Sequence, residues 1–317
     1  MVYNGTEYGK TDETETTMLD LNQELHPILI KNLICPVCGY PLSVSSDGRS
    51  VGCFAVADLP KSNRKTHLFD GGASGYLPLS PRHSGGGDSK EAVRARTAFL
   101  RHGYYARAAE ALISLLQEFT PIGGSVLDAG CGEGYYSNRI AQAGYPTLGV
   151  DLSKFAVDAA AKAARAQRLA EGCSSHTLYA VGSVFELPVR EGAFDTVTNI
   201  FAPCAPVEYT RVLKNRGHLM VAGAGERHLF GLKQMVYDDP YLNEPRRDLP
   251  GEDSGLRLVD VRNVTFSITV EGQEHIQALF SMTPYYWRTS PDGHNRLRTA
   301  ERLETEVSFD FHIYEKH

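Results

Sequence analysis

The chain has 317 residues, of which 42% are hydrophobic and 22% charged, and its formal net charge is −6. Such a composition is ordinary for a globular protein, and the length has room for one large domain and a small one. The net negative charge excludes a dedicated nucleic-acid coat protein, so any contact with nucleic acid must depend on a local basic patch.

The N-terminal residues 1–32 are polar, and we expect them to form a flexible extension. Their acidic start is unlike a signal peptide. No apolar run in the sequence reaches the roughly 20 residues that a membrane span needs. We therefore expect a cytoplasmic protein with no membrane contact.

Residues 33–80 contain four side chains of the kind that bind zinc. Cys35 and Cys38 have the spacing of a metal-binding knuckle, and Cys53 and His67 follow. Three cysteines and one histidine are a common set for structural zinc, and the metal would supply folding energy that so short a module lacks. We predict a zinc-ribbon-like module that binds Zn²⁺. The alternatives are a redox or merely buried cysteine pair, and a surface position for His67.

Residues 81–120 read as a linker followed by a helical region. The stretch PRHSGGGD at 81–88 is typical of a linker, and residues 89–119 are rich in Ala, Leu and Arg. We predict a helical region over 89–119, with Asp88 or Ser89 as the N-cap at its start.

From residue 121 to the C-terminus, strands alternate with helices. The predicted strands are 125–128, 147–150, 178–181, 193–201 and 218–222, and the predicted helices between the first three are 135–143 and 153–170. This alternation predicts a parallel sheet covered by helices on both faces. Two more strands, 257–270 and 306–314, with a helix at 273–280 between them, predict an antiparallel end to the sheet.

The segment Val126–Gly134 carries the strongest motif. Its strand ends in Asp128, and three glycines then lead into a helix, so that backbone can approach a ligand at the carboxyl edge of the sheet. The glycines are Gly130, Gly132 and Gly134. Dinucleotide folds use the spacing G-x-G-x-x-G. Here Glu133 lies inside the turn. Its negative charge would repel a pyrophosphate, but it suits a cofactor with positively charged ammonium and sulfonium groups.

Asp151 follows Asp128 by 23 residues and ends the second strand, where an acid binds ribose hydroxyls. We therefore predict S-adenosyl-L-methionine (SAM) as the cofactor. The predicted fold class is α/β: residues 121–317 form a Rossmann-like, class I SAM-dependent methyltransferase domain, with a mostly parallel sheet and a C-terminal antiparallel strand. A glycine turn in another α/β fold is the alternative.

Further motifs are linked along the chain. They are Cys35-Pro-x-Cys38, His67-x-Phe-Asp70, Gly75-Tyr76, Arg96-x-Ala-Phe-Leu100, Gly103-x-Tyr105, Asp128–Tyr136, Ala202-Pro-Cys204, Arg227-His-Leu229 and Met282-Thr-Pro-x-x-Trp287. Together they resemble the bacterial 23S rRNA (guanine-N1)-methyltransferases from about Cys35 to the C-terminus.

The resemblance implies a zinc module, a class I methyltransferase domain and a homodimer with an RNA-sized cleft. It implies methylation of N1 of a guanine in a 23S rRNA hairpin, which in some members contributes to macrolide resistance. The implied zinc ligands are Cys35, Cys38, Cys53 and His67, and the implied SAM contacts are Tyr105, Gly132, Glu133 and His228. The chain departs from the family in residues 1–32 and in an insertion with Lys61, Arg64 and Lys65.

The resemblance places the target-side loop at 199–203. Guanine N1 lies on the Watson–Crick edge, so the base must be unpaired or flipped and then stacked. Phe201 is the candidate for stacking, unless it is a core aromatic, and Asn199 is the candidate hydrogen-bond donor. A second aromatic group is expected to pack in the core: Tyr285, Tyr286 and Trp287.

A basic patch beside the zinc module is the candidate contact for the RNA backbone, unless it is only a solvated helix face. Its residues are Lys90, Arg94, Arg96, Arg101, His102 and Arg107, to which Arg82 and the Lys61–Lys65 insertion could add. Arg246 and Arg247 form another small cluster.

Two other functions remain open from the residues alone. One is a methyltransferase that acts on a small molecule, because this fold serves many substrates and the chain is acidic. The other is a non-catalytic binding module with the same fold. The sequence does not identify a general base.

Overall fold

The computed structural model describes residue 21 and residues 26–54, 65–80, 86–171 and 176–317. Most of the predicted extension, Lys61 and Arg64 of the insertion, and Arg82 lie outside these ranges.

Elements are numbered here in chain order. The helices are α1 (Pro27–Lys31), α2 (Lys90–Arg101), α3 (Ala106–Phe119), α4 (Tyr135–Gln142), α5 (Lys154–Glu171), α6 (Pro206–Val212), α7 (Phe230–Val236), α8 (Gln273–Ser281) and α9 (Pro291–Arg298), with a 3-10 turn at Glu252–Ser254. The strands are β1 (Ser43–Val44), β2 (Ser50–Gly52), β3 (Leu68–Asp70), β4 (Leu77–Pro78), β5 (Val126–Ala129), β6 (Thr147–Asp151), β7 (Thr177–Val181), β8 (Phe194–Ile200), β9 (Leu213–Ala224), β10 (Leu256–Glu271) and β11 (Arg302–Lys316).

Among the described residues, the main sheet has the strand order β10-β11-β9-β8-β5-β6-β7-β4. The strands from β9 to β4 run parallel to one another, whereas β11 is antiparallel to β9 and β10 to β11. The chain order reverses at β5, which lies between β6 and β8. Such a switch point is where an open α/β sheet binds its ligand. The arrangement confirms the predicted class I methyltransferase fold with its antiparallel end.

The cysteine-containing segment forms a small antiparallel sheet, β1-β2-β3, that is attached to the large domain. Leu33 forms a bridge with Val189, and the Asn32 side-chain amide donates to the carbonyl of Ala193 at 3.1 Å. One apolar core contains residues from both parts: Leu33, Leu42 and Val51 from the segment, and Leu127, Leu178 and Val197 from the large sheet.

Strand β4 lies within the range predicted for the zinc module, yet it pairs in parallel with β7 at the edge of the main sheet. The segment 33–80 therefore supplies a strand to the methyltransferase sheet as well as its own three strands.

The helical region predicted over 89–119 consists of two helices, α2 and α3. Gly103 has a φ of 78°, in the left-handed region that ends a helix, and the chain turns there before α3 begins. The Ser89 hydroxyl accepts the Ala92 amide hydrogen at 3.2 Å, so Ser89 is the N-cap of α2. Asp88 instead pairs with Arg96.

Within the described ranges, none of the helices combines the length and the apolar composition needed to cross a bilayer.

Candidate active site and metal centre

The glycine-rich turn after β5 has a backbone that favours glycine. Gly130, Gly132 and Gly134 have φ angles of 84°, 55° and 78°. A Cβ atom at Gly130 would lie 2.3 Å from the Cβ of Ala202, and one at Gly134 would lie 2.6 Å from the Tyr179 hydroxyl. Neighbouring side chains therefore pack directly on the main chain at these two positions, so only glycine fits there, and the turn lies at the switch point of the sheet, where open α/β folds bind their ligands.

Asp128 is buried at the end of β5 and braces this turn. Its carboxylate accepts the Ser137 hydroxyl at 2.5 Å and the Thr198 hydroxyl at 2.9 Å. Burial raises the pKa of Asp128 to about 6, and the two hydroxyls oppose that rise. The carboxylate links β5, α4 and β8 around the crevice.

Asp151 ends β6 on the neighbouring side of the crevice. One carboxylate oxygen accepts the amide hydrogen of Gly132 at 3.0 Å, and the other accepts that of Ser153 at 2.8 Å. Burial raises the pKa of Asp151, while these two amides lower it. The acid therefore lies against the glycine turn, where the predicted ribose contact requires it.

Glu133 is a buried acid, and its Oε2 atom has no hydrogen-bond partner among the described residues. The guanidinium of Arg96 lies 3.6 Å from that oxygen and also pairs with Asp88. Burial raises the pKa of Glu133, and Arg96 opposes the rise. The prediction that Arg96 belongs to an RNA-facing patch is wrong, because its side chain faces the cofactor turn.

These groups fit the predicted cofactor. The guanidinium of Arg96 lies near three carboxylates, those of Asp88, Glu133 and Asp151. The crevice therefore carries more negative than positive charge. A buried carboxylate oxygen without a hydrogen-bond partner suits a ligand with an ammonium group, and an acid at the end of β6 suits the ribose of a nucleoside.

The ring of His228 lies between those of Tyr105 and Phe309. The Ser308 amide donates to Nδ1 of His228 at 3.1 Å, so the proton of the neutral ring is on Nε2, 3.5 Å from the Tyr105 hydroxyl. Burial lowers the pKa of His228 to about 4. The ring is therefore neutral at pH 7 and offers a hydrogen-bond donor to the site.

Phe201 continues this aromatic wall at the end of β8. Its ring centroid lies 5.4 Å from that of His228 and 4.8 Å from that of Phe309, and the side chain remains 47% exposed. Its φ of 53° is rare for a bulky residue. Because Ala202 packs on Gly130, Phe201 stands beside the glycine turn with an exposed ring.

The four predicted metal ligands meet in the N-terminal sheet. The ligand atoms of Cys35, Cys38, Cys53 and His67 all lie within 4.8 Å of one another. Nδ1 of His67 is 3.6 Å from the Cys35 sulfur and 3.5 Å from the Cys53 sulfur. Tetrahedral bonds of about 2.3 Å to sulfur and about 2.0 Å to nitrogen place such atoms roughly 3.5 Å apart, so the cluster fits a zinc module.

Comparison with known proteins agrees with the geometry. Residues 126–220 match the family described as "Methyltransferase domain". A protein of Micromonospora griseorubida, provisionally named a 23S rRNA (guanine-N(1)-)-methyltransferase, is 31% identical over 292 residues, which cover 84% of this chain and 90% of the relative. The chain belongs to the 23S rRNA (guanine-N1)-methyltransferase family.

Two further relatives extend the comparison of this methyltransferase. The 23S rRNA (guanine(748)-N(1))-methyltransferase of Streptomyces fradiae is 33% identical over 207 residues, which cover 63% of this chain and 66% of the relative. A protein of Bacillus subtilis (strain 168), also provisionally named a 23S rRNA (guanine-N(1)-)-methyltransferase, is 26% identical over 296 residues, which cover 88% and 95%.

Asn199 has a different environment from the one its candidate role requires. It is buried, and its amide nitrogen donates to the carbonyls of Ala129 and Pro203, both at 3.1 Å. Its side-chain oxygen accepts Arg246, which also donates to the carbonyl of Ala202. In this methyltransferase the amide therefore braces the loop that carries Phe201, and so does Arg246, which we had expected in a surface cluster.

A buried lysine supports the turn that carries His228, and sequence reasoning missed it. Lys233 Nζ donates to the Tyr241 carbonyl at 2.9 Å and to the Asn243 side-chain oxygen at 2.7 Å. The Asn243 amide nitrogen in turn donates to the carbonyl of His228 at 3.0 Å. A lysine on an amphipathic helix gives no sequence signal of such burial.

The second aromatic group divides between core and surface. Tyr285 is buried and donates its hydroxyl to Asn243 at 2.9 Å, and Tyr286 packs against the core. Trp287 is 85% exposed, so the prediction that it packs in the core is wrong.

The basic residues of α2 lie on two faces of the helix. Lys90, Arg94 and Arg101 fall within about 40° of one another around the helix axis, whereas Arg96 lies roughly 140° away. The first three are exposed, as are His102 and Arg107. A basic face therefore remains without Arg96.

Proposed function

We propose that this methyltransferase transfers a methyl group from SAM to N1 of a guanine in a 23S rRNA hairpin. The observation that carries the proposal is the acid-lined glycine crevice, which opens beside an exposed aromatic ring, in a chain of this family. A ribosomal substrate also places the reaction in the cytoplasm.

The protein's contribution to such a reaction is to position two ligands. When bound, SAM supplies a methyl group on a positively charged sulfur. Asp151 and Glu133 would hold the cofactor in the crevice, and neutral His228 would donate a hydrogen bond to it. Phe201 offers its ring face to the target base, which must leave its helix to expose N1.

The nucleotide product gives a direct test of the reaction. Primer extension across 23S rRNA should stop one nucleotide before a guanine in cells that contain the protein and read through in cells that lack it, because N1-methylguanine cannot pair. Purified protein should transfer labelled methyl groups to a 23S hairpin. Transfer to a metabolite extract and not to rRNA would refute the rRNA substrate and favour a small-molecule methyltransferase.

Replacing Phe201 with Ala should lower kcat/KM for the RNA by about 10-fold or more, because stacking contributes roughly 1–3 kcal/mol per base. Binding of SAM, measured by calorimetry, should change little, and Phe201→Trp should restore most of the activity. Phe155→Ala, at an exposed aromatic on α5, is the matched control. An unchanged kcat/KM in Phe201→Ala would remove this residue from the base site.

We propose a homodimer as the working assembly, the state that the resemblance implies.

The exposed face of α2 is the proposed contact with the RNA backbone. Changing Arg94 and Arg101 to Gln should reduce the slope of log affinity against log salt concentration by about 1.5, because each removes a phosphate contact. The same double change at Arg257 and Arg302, which pair with carboxylates on β10 and β11, is the control. Equal slopes in the two variants would exclude this face.

We also propose that the cysteine–histidine cluster binds a structural Zn²⁺ ion. Four protein ligands fill a tetrahedral site, so such an ion has no open position for substrate. Its role is to hold the small sheet together.

A further inference from the structure

Arg96 is a cation inside the acidic cofactor crevice. Its Nη1 atom lies 3.6 Å from Glu133 Oε2, and a Cβ atom on Gly132 would lie 3.2 Å from the same nitrogen. Its side chain is only 25% exposed. The guanidinium therefore lies over the glycine turn, beside that carboxylate oxygen of Glu133.

The segment before α2 holds Arg96 from its other side. Asp88 pairs with the guanidinium, and the Asp88 carbonyl accepts the Ser153 hydroxyl at 2.8 Å. Gly87 packs closely on Ser153, whose amide hydrogen is accepted by Asp151. The position of Arg96 is thus fixed relative to Glu133 and Asp151.

The amino-acid end of SAM carries one ammonium and one carboxylate on the same carbon. Glu133 offers a buried carboxylate oxygen that has no hydrogen-bond partner among the described residues, and Arg96 offers a planar donor fork of the kind that binds carboxylates. The carboxylate is the one anionic group of the cofactor. A guanidinium and a carboxylate next to each other in one pocket are complementary to such a zwitterion.

We propose that Arg96 binds the carboxylate of SAM while Glu133 binds its ammonium group, and that Asp88 is a positioning residue for Arg96. This inference rests on the proposed use of SAM in the crevice. Arg96 then contacts the cofactor rather than RNA, and α2 contributes to the cofactor site on one face and to the RNA surface on the other.

Two cofactors that differ in one group provide the test: SAM and decarboxylated SAM, which keeps the sulfonium, the ammonium and the nucleoside. By calorimetry the unaltered protein should bind SAM about 10- to 100-fold more tightly than the decarboxylated compound. In Arg96→Met that preference should disappear, because SAM binding weakens while binding of the decarboxylated compound is unchanged or tighter.

Several results would overturn the proposal. If Arg96→Met weakens both compounds by the same factor, Arg96 only braces the turn. If the preference for SAM survives in the variant, the carboxylate binds elsewhere, for example at Tyr105 and His228. If the unaltered protein binds both compounds equally, the inference fails while SAM use stands, and if it binds neither, the proposed function fails as well.

Control variants separate this role from folding. Arg257→Met removes an exposed arginine on β10, outside both proposed binding sites, and should leave both affinities unchanged. Asp88→Asn should weaken SAM several-fold with little effect on the decarboxylated compound. The comparison of the two ligands on the unaltered protein decides the question even if Arg96→Met fails to fold.

Discussion

Asp151→Asn should weaken binding of SAM by roughly 100-fold, or about 3 kcal/mol. Each carboxylate oxygen of Asp151 accepts one backbone amide hydrogen, from Gly132 and from Ser153. An asparagine has one acceptor oxygen, so its amide nitrogen must face one of these N–H groups. The variant therefore loses the negative charge that would accept hydrogen bonds from the ribose hydroxyls. It also leaves the backbone amide of Gly132 or Ser153 without an acceptor.

Calorimetry with SAM measures this effect, and methyl transfer to the RNA should fall in parallel at subsaturating cofactor. Asp238→Asn, at an exposed acid that pairs with Arg296, is the control for a lost negative charge. An unchanged dissociation constant in Asp151→Asn would mean that the nucleoside does not lie at the end of β6, and the assignment of the crevice would fall with it.

The fold was predictable because its signals are local. Buried parallel strands such as β5 and β6 read as short apolar runs, and the glycines after β5 mark the turn that their positive φ angles require. The switch point follows from the order of strands and helices. The linked cysteines and histidine likewise place four ligands in one small module before any distance is known.

The site was less predictable because its walls come from distant parts of the chain. The tautomer of His228 is set by a hydrogen bond from the amide of Ser308, 80 residues away, and the two residues meet because β11 pairs with β9. Phe309 reaches the site in the same way. No motif links these residues, so no sequence pattern could have paired them.

Polar residues near a motif were also easy to misassign. Asn199 lies near the carboxyl end of β8 and so has the position of a substrate ligand, yet its amide nitrogen donates to the backbone carbonyls of Ala129 in β5 and of Pro203 in the loop after β8. Arg96 is different, because the spacing of α2 already places it away from Arg94 and Arg101. Arg96 therefore lies on a different face of α2 from the basic patch to which its charge alone had assigned it.

Loss of zinc should lower the melting temperature of the whole protein by at least about 5 °C. The cluster ties β2 and β3 to the knuckle that contains Cys35, and the same segment contributes Leu33 and Val51 to a core that it shares with the main sheet. Unfolding of the segment would expose that core and remove β4 from the sheet edge. We therefore expect one cooperative transition at a lower temperature, since the two parts do not have separate cores.

Cys38→Ser is the sharpest way to make this change, because Cys38 is the exposed ligand and its replacement leaves the buried packing intact. The variant should lose its equivalent of zinc and melt like chelator-treated protein, whereas Val37→Ser, at the exposed neighbour, should keep both the metal and the melting temperature. His67→Ala tests the fourth ligand alone: a full equivalent of zinc in that variant would exclude His67. If chelated and zinc-loaded protein melt at the same temperature, the cluster does not stabilise the fold, and the shared core must hold the segment without metal.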